Sequence, residues 1–361
     1  MLDIQVEWLP MPMNLSEIFL NRWGRLRSGW RLLLFVVINF VLTGVLFQLL
    51  SIGYLLLRSR GAAGAPGFLG GPWGWVLQST VLLAAATVAG LVCAKLFEGL
   101  PARSLGWTLH RGYLFDWLKG TLVGALSLVL AALIIFASGG YRFTFAASDS
   151  GAVLKTIIFS GLVFIIAAAA EEALFRGYPL QTMTRARLAM AGLVLTSLVF
   201  AYVHKDNPNN PPGLPPFTYL GLYFVNFPFI NTTLAGVWLA VAYLRTRSLW
   251  FPLGVHWSWN WTMGSLLGLP VSGIEALTPA PLLRAADLGP HWLTGGAYGV
   301  EGGAACTLAI LASTIFIWRT RALSATPEML SLTDKENPGQ DVSPGSELSE
   351  ASLAGEDRTY L

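Results

Sequence analysis

The sequence predicts an all-α, polytopic integral membrane protein with about eight transmembrane helices enclosing an intramembrane polar cavity. Of its 361 residues, 54% are hydrophobic and 12% are charged, against about 25% charged in an ordinary soluble domain. Mean hydropathy is +0.58, and several apolar runs approach the ~20 residues that a helix needs to cross ~30 Å of hydrocarbon. A soluble enzyme is nearly excluded. The 2 cysteines, Cys93 and Cys306, lie in apolar segments and exclude a disulfide framework.

Eight apolar segments are bracketed by polar or Pro/Gly-rich breaks. They cover residues 31–57, 73–98, 113–137, 152–178, 188–204, 217–244, 250–269 and 299–318. Helices are expected because backbone groups inside lipid must be paired within their own segment, and the ten-residue alternation of a barrel is missing. Gly120 and Gly124 form a GxxxG pattern in the third segment, which favours close helix packing.

The chain divides into a membrane domain with two flanks. Residues 1–30 are predicted to be a cytoplasmic juxtamembrane segment without the pattern of a cleaved signal peptide. Residues 31–320 form the predicted eight-helix domain. Residues 321–361 are predicted to be an acidic, disordered tail, since 8 of the 20 acids but only 2 of the 23 bases follow Ser324 and apolar residues are few.

Basic residues are unequal on the two sides of the predicted spans. The richer connections hold Arg22, Arg25, Arg27 and Arg31, then Arg103 and Arg111, Arg185 and Arg187, Arg245 and Arg247, and Arg319 and Arg321. The poorer connections hold Arg58 and Arg60, Arg142, Lys205 and Arg284. By the positive-inside rule the richer set is cytoplasmic. This predicts a multi-pass protein of the cytoplasmic (inner) membrane, in contact with the lipid bilayer, with both termini in the cytoplasm.

Ionisable and polar residues within the apolar segments are candidate site residues, because each costs about 3 kcal/mol or more at membrane depth unless it is paired. The fourth segment ends AAAAEEALFRGY, the fifth ends FAYVH, and the seventh reads FPLGVHWSWNW. The residues that stand out are Glu171, Glu172, Arg176, Phe200, His204, His256 and Asn260.

Helical spacing gives these side chains directions. Glu172 and Arg176 are four residues apart with the acid first, the favourable order for an ion pair. Glu171 points about 100° away from Glu172 and faces elsewhere. The alternative is a structural ion-pair network, which is disfavoured because one Arg cannot neutralise two buried acids. His256 and Asn260 also share one face, where interhelical hydrogen bonding is the alternative.

A count along the helices places these groups at one depth. If helix four continues past Arg176 and the chain turns near Arg187, Glu171 and His204 both lie about 24–26 Å from the turn at 1.5 Å per residue. By the same count the HWSWN segment lies about 13–20 Å from a turn near Arg247. We therefore expect the polar groups to meet inside the bilayer.

A carboxylate, two imidazoles and an amide in an apolar cavity suit hydrolysis of an acyl bond by water. Glu171 suits a general base and His204 a partner that returns the proton to the leaving amine. His256 and Asn260 suit donors to the oxyanion. Glu171, His204 and His256 also match a known zinc set with an open position. The residues leave metal-activated and carboxylate-activated water both open, so a divalent metal such as zinc is an alternative and not a firm prediction.

The three motifs together resemble the CPBP intramembrane proteases, a family of CAAX prenyl proteases and bacteriocin-processing or bacteriocin-immunity proteins also called the abortive-infection family. Its pattern EExxxR, FxxxH and HxxxN reads here as EEALFR, FAYVH and HWSWN, within about residues 155–268. The resemblance implies a catalytic base at Glu171, its partner at the water or metal at His204, transition-state stabilisers at His256 and Asn260, and supporting roles for Glu172 and Arg176.

The resemblance implies that residues 31–320 are a protease-like domain that cleaves a membrane-associated, hydrophobic or prenylated protein or peptide. A non-catalytic binding or bacteriocin-immunity protein is the main alternative. A transporter with a proton relay through Glu171 and His204 is a third, disfavoured by the lack of an internal repeat. Nucleic acid is not an expected partner, and the oligomeric state is left open.

Other polar residues near span ends are expected to be solvated or structural. The residues expected to be solvated are Asp116, Glu301, His110 and His291. Asn226 and Asn231 either line the cavity or pack between helices.

Overall fold

The computed structural model describes residues 15–21, 24–59, 71–146, 149–214, 217–222 and 224–334. This part of the chain is mostly helical, which confirms the predicted all-α class of polytopic membrane protein. Residues 1–14, Arg22, Arg60 and the tail after residue 334 lie outside the described residues, and so do the predictions made for them.

The α-helices are joined by connections of very different lengths. In chain order they are α1 (Leu15–Phe19), α2 (Ser28–Ser59), α3 (Pro72–Cys93), α4 (Tyr113–Ala137), α5 (Ser150–Glu172), α6 (Tyr178–Arg185), α7 (Ala189–Val203), α8 (Phe227–Thr246), α9 (Trp250–Trp261), α10 (His291–Thr294), α11 (Ala304–Arg319) and α12 (Pro327–Thr333). Turns of π-helix extend three of them, at Ala94–Glu98 after α3, Ala173–Gly177 after α5 and Thr262–Leu266 after α9. Short 3-10 turns occupy Ala102–Leu105, Phe217–Leu220, Gly296–Tyr298 and Val300–Gly302.

Five helices of the described part are long and apolar enough to cross a membrane, by length and composition. They cover Ser28–Leu56, Trp73–Glu98, Tyr113–Ala137, Ser150–Arg185 and Phe227–Thr246. α7 and α11 are apolar but shorter, and α9 is short without its π turn. Every predicted segment contains a helix, whereas the count of eight spans stays a prediction.

The sixth predicted segment begins as a helix ten residues later than expected. α8 starts at Phe227 because the Asn226 side chain accepts a hydrogen bond from the Phe229 N–H at 2.9 Å, and Pro228 occupies the first turn. Both features are typical of a helix N-terminus. The sequence had placed residues 217–226 in this span, and the structure places them in the preceding connection.

The chain reverses direction at the two places expected. α5 runs through its π turn into α6, so a helical path continues from Ser150 to Arg185. Arg187 and Arg247 then adopt the left-handed conformation, with φ of 61° and 55°, and close the α6–α7 and α8–α9 connections. The π turn lies just before Pro179, whose ring cannot continue a regular helix hydrogen-bond ladder.

Glycines bring α4 and α9 into backbone contact. A Cβ atom on Gly120 would lie 2.2 Å from the Phe251 carbonyl oxygen, and one on Gly124 would lie 2.1 Å from the Val255 carbonyl oxygen. Gly254 of α9 is equally close to α4. The close packing predicted from the GxxxG pattern is confirmed, and it holds the helix that carries His256 and Asn260.

The main core lies between α4, α8, α9 and α11. Its buried residues include Leu128, Trp238, Tyr243, Val255 and Cys306. Cys93 is buried in a second cluster against α2, and both thiols are free, as expected.

A small two-stranded sheet was not predicted. β1 (Tyr141–Phe145) pairs antiparallel with β2 (Leu283–Asp287), with Tyr141 opposite Asp287. The strands lie in the connections after α4 and after α9, so their pairing depends on how distant loops are brought together, which short local patterns do not reveal.

Glu98, Arg31 and Arg185 form a buried polar group, named here the Glu98 cluster, that joins α2, α3 with its π turn, and α6. Arg185 donates to Glu98 through Nε at 2.7 Å and Nη2 at 3.1 Å, and Arg31 Nη1 lies 3.4 Å from Glu98 Oε2. All three side chains have 0% exposure. The sequence counted both arginines among the basic residues of cytoplasmic connections; the structure buries them because Glu98 supplies the opposite charge.

The structure also orders the beginning of the predicted tail. Thr326 caps α12 by accepting from the Met329 N–H at 3.2 Å, Met329 is fully buried, and Asp334 pairs with Arg247 at 3.2 Å. Residues 326–334, which the sequence assigns to the tail, are therefore helical and packed in the structure, and the domain boundaries stay a prediction. Met329 and the capping threonine supply the packing and hydrogen bonding that the acidic composition concealed.

Candidate functional site

A cavity of about 430 Å³ lies between α3, α5, α7, α8, α9 and the segment leading into α11. Its lining contains the four side chains predicted to carry chemistry, Glu171, His204, His256 and Asn260. They come from three helices that are distant in sequence. The structure therefore brings together the residues that the three motifs nominated, in a largely apolar pocket within the helical body.

Glu171 is the carboxylate that faces the two imidazoles. Its Oε2 lies 3.6 Å from His256 Nε2 and 4.0 Å from His204 Nε2. The Glu171 side chain is 33% exposed, against 18% for His204 and 9% for His256. Glu171 is thus open to the cavity while the imidazoles form the wall behind it.

The hydrogen-bond partners of the two histidines indicate which ring nitrogen carries the hydrogen. His204 Nδ1 lies 2.7 Å from the Phe200 carbonyl oxygen, and His256 Nδ1 lies 2.9 Å from Glu172 Oε1. A carbonyl or carboxylate oxygen only accepts, so in the neutral rings Nδ1 carries the hydrogen and Nε2 carries a lone pair. Both Nε2 atoms lie within 4.0 Å of Glu171 Oε2, a buried oxygen that has no hydrogen-bond donor within the described ranges.

Glu172 is a buried acid that supports the site through contacts with Arg176 and His256. Its side chain has 0% exposure, and Oε1 accepts from Arg176 Nη1 at 3.1 Å as well as from His256. The predicted ion pair with Arg176 is confirmed. The contact with His256 was not predicted, and it fixes the ring so that Nε2 faces Glu171.

Phe200 packs between Arg176 and His204. The Arg176 guanidinium lies 4.6 Å from the centre of its ring, and the His204 ring centre lies 4.7 Å away. Phe175 meets the same ring edge to face at 5.2 Å. Cation–π and aromatic contacts of this kind stabilise a fixed arrangement, which explains why a phenylalanine stands one turn before His204.

The three asparagines discussed from the sequence, Asn226, Asn231 and Asn260, have different positions. Asn260 is half-buried in the cavity wall, one turn after His256 on α9. Asn231 borders the cavity, yet its Nδ2 donates to the carbonyls of Glu301 and Gly303 at 2.8 and 2.9 Å, so it also packs between elements. Asn226 caps α8 instead.

Glu301 was expected to be solvated, and this prediction is wrong. The side chain is part of the cavity wall, where Oε1 accepts from Trp259 Nε1 at 3.0 Å and Oε2 accepts from the N–H and hydroxyl of Ser272 at 2.8 Å each. The signal that could have found it is the surrounding run GGAYGVEGG. A Cβ atom on Gly303 would lie 2.2 Å from the Leu293 carbonyl oxygen, so the glycines permit a tight fold that turns Glu301 inward.

His110 also differs from its expectation. It is 3% exposed, and its Nε2 lies 3.2 Å from the Ser248 hydroxyl and 3.4 Å from Asp116 Oδ2. Asp116 itself is half-buried, whereas His291 is exposed as expected. His110 thus ties the start of α4 to the residues just before α9.

The zinc alternative can be tested by comparing the three proposed ligands with the geometry of a zinc site. Glu171, His204 and His256 are the right residue types, but no group of three His, Cys, Asp or Glu side chains in the described ranges is placed to hold a metal. Ligand atoms around a tetrahedral zinc with bonds of about 2.1 Å lie about 3.4 Å apart, and the separations here are 3.6 and 4.0 Å. These separations leave the metal route and the carboxylate route both open, and no step below uses a metal.

A comparison with protein families found a match within the segment that carries the three motifs. The family model described as Type II CAAX prenyl endopeptidase Rce1-like matches residues 153–262. This segment contains all three motifs and confirms the resemblance to the CPBP and CAAX protease family. Searches of curated proteins and of solved structures found no significant match.

Proposed function

We propose that this protein is an intramembrane endopeptidase that hydrolyses a peptide bond of a membrane-associated protein or peptide with water activated by Glu171. The family match supports a protease in a membrane in general terms. The observation that carries the finer proposal is the partly exposed Glu171 carboxylate, with two imidazole Nε2 atoms within 4.0 Å of it inside the cavity.

In the first step a water molecule in the cavity gives one proton to the Glu171 carboxylate while its oxygen attacks the peptide carbonyl carbon. The negative charge moves to the carbonyl oxygen of the tetrahedral intermediate. The Asn260 amide is the proposed donor to this oxyanion. His256 adds a second donor at Nε2 when its ring is doubly protonated, with Glu172 accepting from Nδ1.

In the second step the carbon–nitrogen bond breaks and the proton held by Glu171 passes to the leaving nitrogen. His204 is placed to relay it, since its Nε2 lies 4.0 Å from Glu171 Oε2. The products are a carboxylic acid and an amine. General acid–base help of this kind contributes about 10²–10⁴-fold to a rate.

The walls of the cavity favour a hydrophobic or lipid-anchored substrate. Apolar side chains from α3, α5 and α8 make up much of the lining, among them Leu82, Phe164 and Leu239. We propose that the substrate enters from the bilayer and that prenylated chains are one class to test. We also propose residence in the cytoplasmic membrane with both termini inside, from the basic residues that remain exposed in the richer connections.

The test is a cleavage screen with purified protein in detergent and in liposomes, using hydrophobic and prenylated peptides with a fluorescent label. Glu171→Gln should lower the rate by about 10²–10⁴-fold, while Glu275→Gln, the same change at an exposed acid, should leave it unchanged. Undiminished cleavage in Glu171→Gln would contradict the mechanism. Peptide binding that survives in this variant, without cleavage by wild type, would favour the immunity or binding alternative.

The metal alternative needs its own measurement. Elemental analysis of the purified protein, with activity measured before and after a chelator, distinguishes the two routes. Carboxylate activation predicts activity in metal-free protein; a stoichiometric metal whose removal and return control activity would replace the mechanism given above.

A further inference from the structure

A second carboxylate lies in the cavity wall outside the three motifs. Glu301 precedes α11 and reaches the same cavity that contains Glu171 and Asn260. Three donors hold it: the Trp259 indole at 3.0 Å, and the N–H and hydroxyl of Ser272 at 2.8 Å. Trp259 stands directly before Asn260, so the structure ties this acid to the helix that carries the candidate catalytic groups.

No cation in the described ranges pairs with Glu301. The salt bridges of these ranges do not include it, and the described lining of the cavity contains no Lys or Arg. Glu172 differs, because Arg176 neutralises it. The cavity therefore presents two carboxylates, Glu171 and Glu301, without a fixed basic partner for Glu301.

The hydrogen bonds leave Glu301 able to bind a ligand. An ionised carboxylate offers about four lone-pair sites, and three are used by Trp259 and Ser272. The side chain is half-buried and faces the cavity. A rigid carboxylate with a free site in an apolar pocket favours a cationic group, since an ammonium or guanidinium satisfies both its charge and its remaining acceptor. A substrate carboxylate would be repelled.

The size of the cavity limits how far from the cleaved bond the cationic group of a peptide can lie. A volume of about 430 Å³ corresponds to about 9 Å across if the cavity is compact, which is about three residues of extended chain at ~3.3 Å each. A peptide whose scissile carbonyl lies beside Glu171 would thus place Glu301 within about three residues of the cleaved bond.

We infer that Glu301 is a specificity residue that binds a basic group of the substrate, either a Lys or Arg side chain or a free amino terminus, close to the scissile bond. The inference rests on the proposed protease function and names the chemistry of its substrate. Trp259 and Ser272 act as positioning residues that hold the carboxylate.

The experiment compares peptides that differ at a single position, carrying Lys, Arg, norleucine, Gln or Glu at each site around the cleaved bond. A second set compares a free with an acetylated amino terminus, which separates the two sources of the cation. Wild type should show kcat/KM at least about 10-fold higher for the basic residue than for norleucine at one position. Glu301→Gln should reduce that ratio to about one, with both peptides measured on the same enzyme preparation.

The controls separate failure of this inference from failure of the protease function. Wild type that cleaves basic and norleucine peptides equally, or Glu301→Gln that keeps the preference, overturns the inference and leaves the protease in place. Wild type that cleaves nothing overturns the protease; fluorescence anisotropy with Glu171→Gln then decides, and tighter binding of Lys than of norleucine peptide, lost in the Glu171→Gln/Glu301→Gln double variant, supports the basic-group site. If Glu301→Gln does not fold, the wild-type peptide series alone decides.

Discussion

Two groups of buried charge lie in this helical bundle, and they differ in how their acids are satisfied. In the Glu98 cluster one carboxylate is enclosed by two guanidiniums, and all three side chains are fully buried. The Glu171 cluster, defined as Glu171, Glu172, Arg176, His204 and His256, contains two acids but one arginine. Arg176 neutralises Glu172, whereas the Glu171 side chain remains 33% exposed to a cavity.

This difference shows which kind of buried charge indicates a reactive site. A carboxylate that is completely surrounded by protein donors has no room for a substrate and ties helices together. A carboxylate supported from one side and open on the other keeps an acceptor for a water proton. Burial of charge alone is therefore weak evidence for a site, and an acid facing a cavity is the stronger sign.

The largest expected effect is a difference in protein stability between Glu→Gln substitutions in the two clusters. Glu98→Gln removes the buried charge with which Arg185 pairs through two hydrogen bonds, so we expect the free energy of unfolding to fall by about 3–5 kcal/mol. Glu171→Gln should change it by less than about 1 kcal/mol, because the side chain already faces the cavity. Chemical denaturation in detergent measures both. Equal destabilisation by the two variants would mean that Glu171 is structural.

The next effect concerns rate and not stability. Asn260→Ala removes an uncharged donor from the cavity wall, so we expect kcat to fall by about 10²-fold with the melting temperature unchanged. Steady-state kinetics and thermal unfolding of the same preparation provide the check. A rise in KM at constant kcat would instead assign Asn260 to substrate binding.

A smaller effect tests the packing that supports the Glu171 cluster. Gly124→Ala places a methyl group against the Val255 carbonyl, so α4 and α9 must separate at a cost of about 1–3 kcal/mol. The matched control is Gly44→Ala in α2, where a Cβ meets nothing within 4 Å, and we expect no loss of stability. Activity should fall with Gly124→Ala alone, since His256 and Asn260 move with α9; similar behaviour of both variants would contradict the close packing.

The smallest expected effect lies away from both clusters. Thr326→Ala removes the cap of α12, at a typical cost of about 1 kcal/mol. Activity per folded molecule should stay unchanged. Hydrogen exchange of α12 measures the loss of protection, and unchanged exchange would show that the cap contributes little beside the burial of Met329.

Much of the candidate site could be predicted because its relations are local. The Glu172–Arg176 pair follows from four-residue spacing on one helix, and the turns at Arg187 and Arg247 follow from breaks in the apolar pattern. Composition alone predicted an all-helical membrane protein. The small sheet, the ordered segment 326–334 and the late start of α8 were missed, since they depend on loop pairing, local caps and a buried methionine.

By itself the sequence determined which residues share a helix face, which segments avoid water and which polar groups are exceptional among them. Only the tertiary structure decided that Glu172 accepts from His256, that Arg31 and Arg185 enclose Glu98, and that Glu301 turns into the cavity. The physical reason is range. Helical spacing acts over four residues of one chain segment, whereas these contacts join elements far apart in sequence, and their geometry is set by how closely the helices and glycine-rich connections pack.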